Sequence, residues 1–162
     1  MCVAYLAADA GIAGLGASHW NSPDGSRPAA DERTIVRQGY AIYTPLQFSS
    51  MRVLRDQRHQ PTTEFDTIGG QVGPDSYSSD DPQVIPGGRY LLLFVPGVDA
   101  VAQAWNEKWM VAAAAWPIDA KGIVTLQAAH TEEGQGPAGE SFPAVTMPLS
   151  QIVQQLANCK AG

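Results

Sequence analysis

Tyr90-Leu91-Leu92-Leu93-Phe94-Val95 is an unbroken apolar run, opened by Pro86-Gly87-Gly88-Arg89 and stopped by Pro96-Gly97. A run this short, bounded by turn residues on both sides, reads as a strand buried on both faces. A strand of that kind needs neighbours, and the rest of the chain supplies them in short pieces. Upstream, Tyr40 to Asp56 is the longest strand-like stretch: Ile42, Thr44, Leu46 and Phe48 alternate with Ala41, Tyr43, Pro45 and Gln47. Its phase breaks after Ser49-Ser50, where Val53 and Leu54 are adjacent, which points to a β-bulge; Pro45 argues for an edge position. Thr62 to Ile68 is a second strand, ended by Gly69-Gly70, and Gly11 to Trp20 reads as a strand of small residues. Downstream, Trp109 to Trp116 and Ile123 to Leu126 are strands with Asp119-Ala120-Lys121-Gly122 as a hairpin loop between them.

The two ends differ from this pattern. Residues Cys2 to Asp9 read as one short helix, with Val3, Leu6 and Ala7 on one side. Leu149, Ile152, Val153 and Leu156 fall at i, i+3, i+4 and i+7, the stripe of an amphipathic helix whose first turn suits Pro148. Loops are expected over Asn21 to Arg33, over Val72 to Gly88 and over Gly134 to Pro143. The fold class is therefore mainly β: one domain, a small barrel or sandwich (OB-like barrels included) with a short N-terminal helix and a C-terminal amphipathic helix.

Composition agrees and excludes other classes. The 162 residues are enough for one domain with a real core. Only 16% are charged, the net charge is −6, and Gly 16 with Pro 12 is far above helical-bundle usage. An acidic balance argues against a nucleic-acid partner, which a basic face would serve. No stretch is long and apolar enough for a transmembrane helix. No leader is visible, because Asp9 follows Met1 too soon and no basic n-region precedes it.

These elements, in this order, resemble a family of exported bacterial domains of uncharacterised function. The residues that carry the resemblance are Gly11 to Gly16, the loop Trp20-Asn21-Ser22-Pro23-Asp24-Gly25, Ile42-Tyr43-Thr44, Arg52-Val53-Leu54-Arg55-Asp56, Ile68-Gly69-Gly70 and Pro86 to Phe94. Asp56 stands where the family usually has Gly. The resemblance implies a periplasmic, cell-surface or secreted location; a cytoplasmic location is the alternative. It carries no catalytic residues.

No catalytic signature is present. Gly134-Gln135-Gly136-Pro137-Ala138-Gly139 has the letters of a dinucleotide fingerprint, but Pro137 and Pro143 deny it the helix that would meet a pyrophosphate. His19, His59 and His130 do not stand at metal-ligand spacing, and His130 beside Glu132 and Glu133 reads as a solvated loop. Asp75, Asp80 and Asp81 could offer oxygens to a cation, but their spacing is no EF-hand, and a solvated acidic loop is the simpler account. No cofactor or metal is expected. Cys2 and Cys159, near opposite ends, are either a disulfide or two free thiols. Of the tryptophans, Trp109 and Trp116 read as core, whereas Trp20 and Trp105 sit beside loops, where aromatics anchor partners. The expected function is a non-enzymatic binding or structural domain, an accessory subunit with a protein partner, touching it through Trp20, Asn21, Asp75, Asp80, Asp81 and Trp105. The alternative is a small hydrolase or metal-dependent enzyme whose site is assembled from distant loops.

Overall fold

A computed structural model of the chain describes residues 5–78, 83–126 and 145–159. In chain order the elements are β1 (Leu6–Leu15), β2 (His19–Trp20), α1 (Glu32–Arg37), β3 (Ile42–Asp56), β4 (Glu64–Ile68), β5 (Gly70–Val72), β6 (Asp75–Tyr77), β7 (Arg89–Asp99), β8 (Ala104–Pro117), β9 (Ile123–Leu126), β10 (Val145–Pro148) and α2 (Leu149–Ala157).

The apolar run Tyr90 to Val95 lies in β7, and β7 is central. It pairs antiparallel with β1 on one side and β8 on the other. β1 also pairs with β3, β3 with β4, and β4 runs parallel to β8. The ring β1-β3-β4-β8-β7 thus closes on itself as a five-stranded barrel. Among its own strands the order is first, second, third, fifth, fourth, a Greek-key barrel of OB type. Closure leaves no exposed edge in the ring.

Inside lie Leu6, Ala8, Ala10, Ile12, Leu46, Tyr90, Leu92, Phe94, Met110 and Ala112. The alternate residues Ala7 and Leu91 face outward and meet Ile118, Val124, Leu149, Ile152 and Leu156 in a second core. That outer core seats the β9–β10 hairpin and α2 against the β1–β7 wall. Trp116 packs at its margin, as expected of a core tryptophan.

β1 corrects the expected N-terminal helix: from Leu6 onward the chain is strand, and residues 1–4 lie outside the described residues. Every residue from Leu6 to Ile12 is buried, because β3 and β7 flank the strand, the barrel core fills one face, and the outer core with the Asp9–Arg89 pair occupies the other. With both faces covered, small apolar residues show neither the period of a helix nor that of a strand. Pro45 is likewise not at an edge. It faces Asp66 of β4, and its carbonyl accepts from Gly16 N on the other side. The bulge in β3 is real: register shifts against β1 leave Leu54 and Ser49 without opposite partners.

Three pieces were not expected. α1 is capped by Asp31, whose side chain accepts from Thr34 N at 2.8 Å. β5 and β6 form a hairpin across Gly73 that runs into the stretch expected to be loop. β10 pairs with β9 just before α2. The Gly134 to Gly139 pattern and His130 lie outside the described residues.

Candidate functional site

The β7–β8 ladder breaks at Pro96 and Gly97. Pro96 faces Met110, but Gly97 faces Asn106, so residues 107–109 of β8 leave β7. Trp109 goes instead to β4, opposite Glu64. A bulge of this kind turns side chains out of the sheet, and here it presents Trp105, Asn106 and Glu107 to one concavity. The concavity holds about 660 Å³ and is lined by Tyr5, His59, Gln60, Val95, Pro96, Trp105, Asn106 and Glu107. Trp105 is 74% exposed, more than any other large apolar side chain described.

Glu107 holds the polar part of the lining in place. Its carboxylate accepts from His59 N at 2.8 Å, from Gln60 N at 2.7 Å and from the Tyr5 hydroxyl, while its carbonyl accepts from Thr62 Oγ1 at 2.9 Å. The His59 ring adds Nδ1 at 3.1 Å. These donors, Tyr5 and His59 first, hold the Glu107 carboxyl down at about 2. The hydrogen bond to Glu107, and then burial, pushes the Tyr5 phenol above its ordinary value. A carboxylate answered on both oxygens is a poor proton acceptor. Its work is to pin His59, Gln60 and Thr62 to β8. The arrangement can therefore grip a side chain, with aromatic and fixed polar groups in one lining.

Of the partner-contact residues expected from sequence, Trp105 alone lies at this concavity. Trp20 is 5% exposed and packs with Ile35 and Ile42, so it is core and not a surface anchor. Asn21 is fully buried: Nδ2 donates to Gly39 O at 2.9 Å and Val98 O at 3.1 Å, and Oδ1 accepts from Ala41 N at 2.8 Å. It is a clamp tying three backbone segments together, not a contact residue. The stretch looked like an open loop because its turn residues are polar; it folds back over the end of the barrel. Asp75 is half-buried and paired with Arg27 at 3.1 Å, joining the β5–β6 hairpin to the loop after β2. Asp80 and Asp81 lie outside the described residues. Cys159, just past α2, is disulfide-bonded; Cys2 lies outside the described residues.

Sequence reading missed the partners of Trp105. Tyr5, His59 and Glu107 are joined across 48 to 102 positions, and no local pattern links them. It also missed a second convergence on the outer face of β4. His19, Glu64 and Asp66 bring one ligand-type atom each to within 4.8 Å of one another, the set of described residues that could hold a metal ion. Glu64 and Asp66, two apart on β4, share one strand face; that β2 delivers His19 to it follows from no spacing in the sequence. No described helix is long and apolar enough to cross a membrane. In comparisons with known proteins, the chain matches no family model, no curated protein and no solved structure.

Proposed function

We propose that the chain is a non-enzymatic binding module, an accessory subunit of an extracytoplasmic assembly, and that Trp105 anchors a protein partner. The observation that carries this reading is the exposure of Trp105 beside a preformed concavity whose polar lining is fixed by Glu107. Large exposed aromatics beside pockets dominate protein interfaces, and a rigid wall lowers the ordering cost of binding. An apolar or aromatic side chain of the partner would enter between Trp105 and Tyr5, with Asn106 and Gln60 at the polar rim. A location outside the cytoplasm is supported by the disulfide at Cys159, since such bonds persist in oxidising compartments. The resemblance to exported bacterial domains points the same way.

The test is affinity recovery of partners from the native source with wild type and two variants. Trp105→Ala should lose partner recovery while the melting temperature stays put, because an exposed side chain costs within about 0.5 kcal/mol. Trp20→Ala should instead lose stability, by about 3–5 kcal/mol, through the cavity it leaves. Unchanged recovery with Trp105→Ala would remove Trp105 as the anchor.

A further inference from the structure

We propose that His19, Glu64 and Asp66 form a binding site for one divalent first-row transition-metal ion, zinc being the best match. The site is independent of the Trp105 concavity.

The backbone brings the three together. Glu64 and Asp66 are two apart on β4 and so share its outer face. β2 pairs with β3 through His19 and Tyr43, and β3 pairs with β4 through Tyr43 and Ile68, which carries the imidazole over that face. The Tyr43 and Trp109 rings flank it, 6.4 and 5.9 Å from the His19 ring centre. Three donors bound to one tetrahedral ion stand about 3.4 Å apart. Ligand atoms already within 4.8 Å of one another need move little to reach that spacing.

The proton count then decides what the cluster wants. His19 Nδ1 lies 2.8 Å from the Trp20 carbonyl. A carbonyl only accepts, so Nδ1 carries a hydrogen and Nε2 is the ring atom left to ligate a metal. Without a metal, Nε2 hydrogen-bonds Glu64 Oε1, an ion pair when the imidazole is protonated, and a cation would take the place of the proton they share. Asp66 is fully buried, and among the described residues neither of its carboxylate oxygens meets a hydrogen-bond donor. Its neighbour is the Glu64 carboxyl, and that contact becomes a hydrogen bond only if the pair holds a proton. The buried Asp66 carboxylate thus faces His19 Nε2 and the Glu64 carboxyl with no donor of its own among the described residues. A buried, unanswered carboxylate is costly. One divalent cation would neutralise both carboxylates and satisfy all three atoms at once.

The ligand types select the metal. One imidazole with two carboxylates suits zinc and its first-row neighbours, and leaves a coordination position free. Calcium takes six to eight oxygens, about twice what this set supplies. A metal-binding imidazole regularly donates its other N–H to a backbone carbonyl or carboxylate, and Trp20 O fills that part.

The experiment uses the full chain without a polyhistidine tag, stripped with a chelator and titrated separately with zinc, manganese and calcium ions. Calorimetry and thermal melting are the readouts. Zinc should bind one per chain with a dissociation constant in the micromolar range or tighter, and raise the melting temperature. His19→Ala and Asp66→Asn should each weaken zinc by at least about 100-fold. Asp66→Asn keeps the side-chain shape and removes a buried acid, so its metal-free melting temperature should equal or exceed wild type. Glu64→Gln serves in its place if that variant fails to fold. Stoichiometric cobalt with a tetrahedral visible spectrum that vanishes in His19→Ala would support the ligand set. The proposal is overturned by no stoichiometric zinc binding, by calcium binding in preference to zinc, or by zinc affinity unchanged in the variants.

Discussion

Asp9 is charged, yet it sits in the most buried strand of the barrel. Its carboxylate accepts two hydrogen bonds from Arg89, Nε to Oδ1 and Nη2 to Oδ2, both at 2.8 Å, and lies 3.5 Å from Arg52. A fork of this geometry is the strong form of an ion pair. Arg89 first, opposed by burial and aided by Arg52, holds the Asp9 carboxyl below its ordinary 3.8. The folded chain therefore keeps Asp9 ionised at pH values where the unfolded chain has already taken up the proton. The contribution is complete above about pH 4 and fades as pH falls through the lowered value. Asp9→Asn should cost about 1.5 kcal/mol at neutral pH, the low end because both arginines reach solvent. The gap to wild type should close between pH 4 and pH 2, as thermal melts across that range would record. At this scale the sequence is most ambiguous. The letter at Asp9 gave no sign of an arginine eighty residues away. Trp20 and Trp105 looked alike in sequence, and only the folding-back of the Asn21 segment separates them.

Elements were more legible, for reasons that depend on what covers them. α2 has one covered face, so its stripe shows: Leu149, Ile152 and Leu156 are buried. β3 and β7 were found by alternation and by an unbroken apolar run. β1 was misread because both its faces are covered. The corner between β4 and β5 was anticipated as Gly69-Gly70, and the structure says why glycine stands there. Gly70 has φ +137, and a Cβ on it would fall on the Ser18 and Thr44 side chains, with Ser18 Cβ at 3.0 Å. Those hydroxyls are joined at 2.7 Å, and Thr44 Oγ1 donates to Gly69 O at 2.6 Å. Gly70→Ala should therefore destabilise by about 1–3 kcal/mol through backbone strain alone, more if the hydroxyl pair is displaced. Denaturant melts would measure it, and a neutral result would show that the corner can re-form.

For the whole molecule, barrel class was legible from short strands and a terminal helix, but closure was not. Closure depends on β4 lying parallel to β8, a pairing of Glu64 with Trp109 that no turn announces. The Trp105 concavity and the His19 cluster both border this seam, which is why neither could be assembled from spacing. The disulfide at Cys159 acts at the same scale, fastening the segment after α2. Cys159→Ser should lower stability by about 2–5 kcal/mol, roughly 5–15 °C in melting temperature, and reductant should do the same to wild type but not to the variant. Equal melting of variant and wild type under oxidising conditions would exclude a stabilising bridge.

The β4–β8 seam also governs the order of events during folding. β1, β3 and β4 can pair early as a meander, yet its two outer strands stay open until β7 and β8 arrive. Ring closure must bring together residues more than forty positions apart, so assembly belongs with slow, high-contact-order β proteins, in milliseconds to seconds. During that interval β1 and β4 each offer an unpaired edge to other chains. A nascent chain cut before Arg89 would carry both edges permanently.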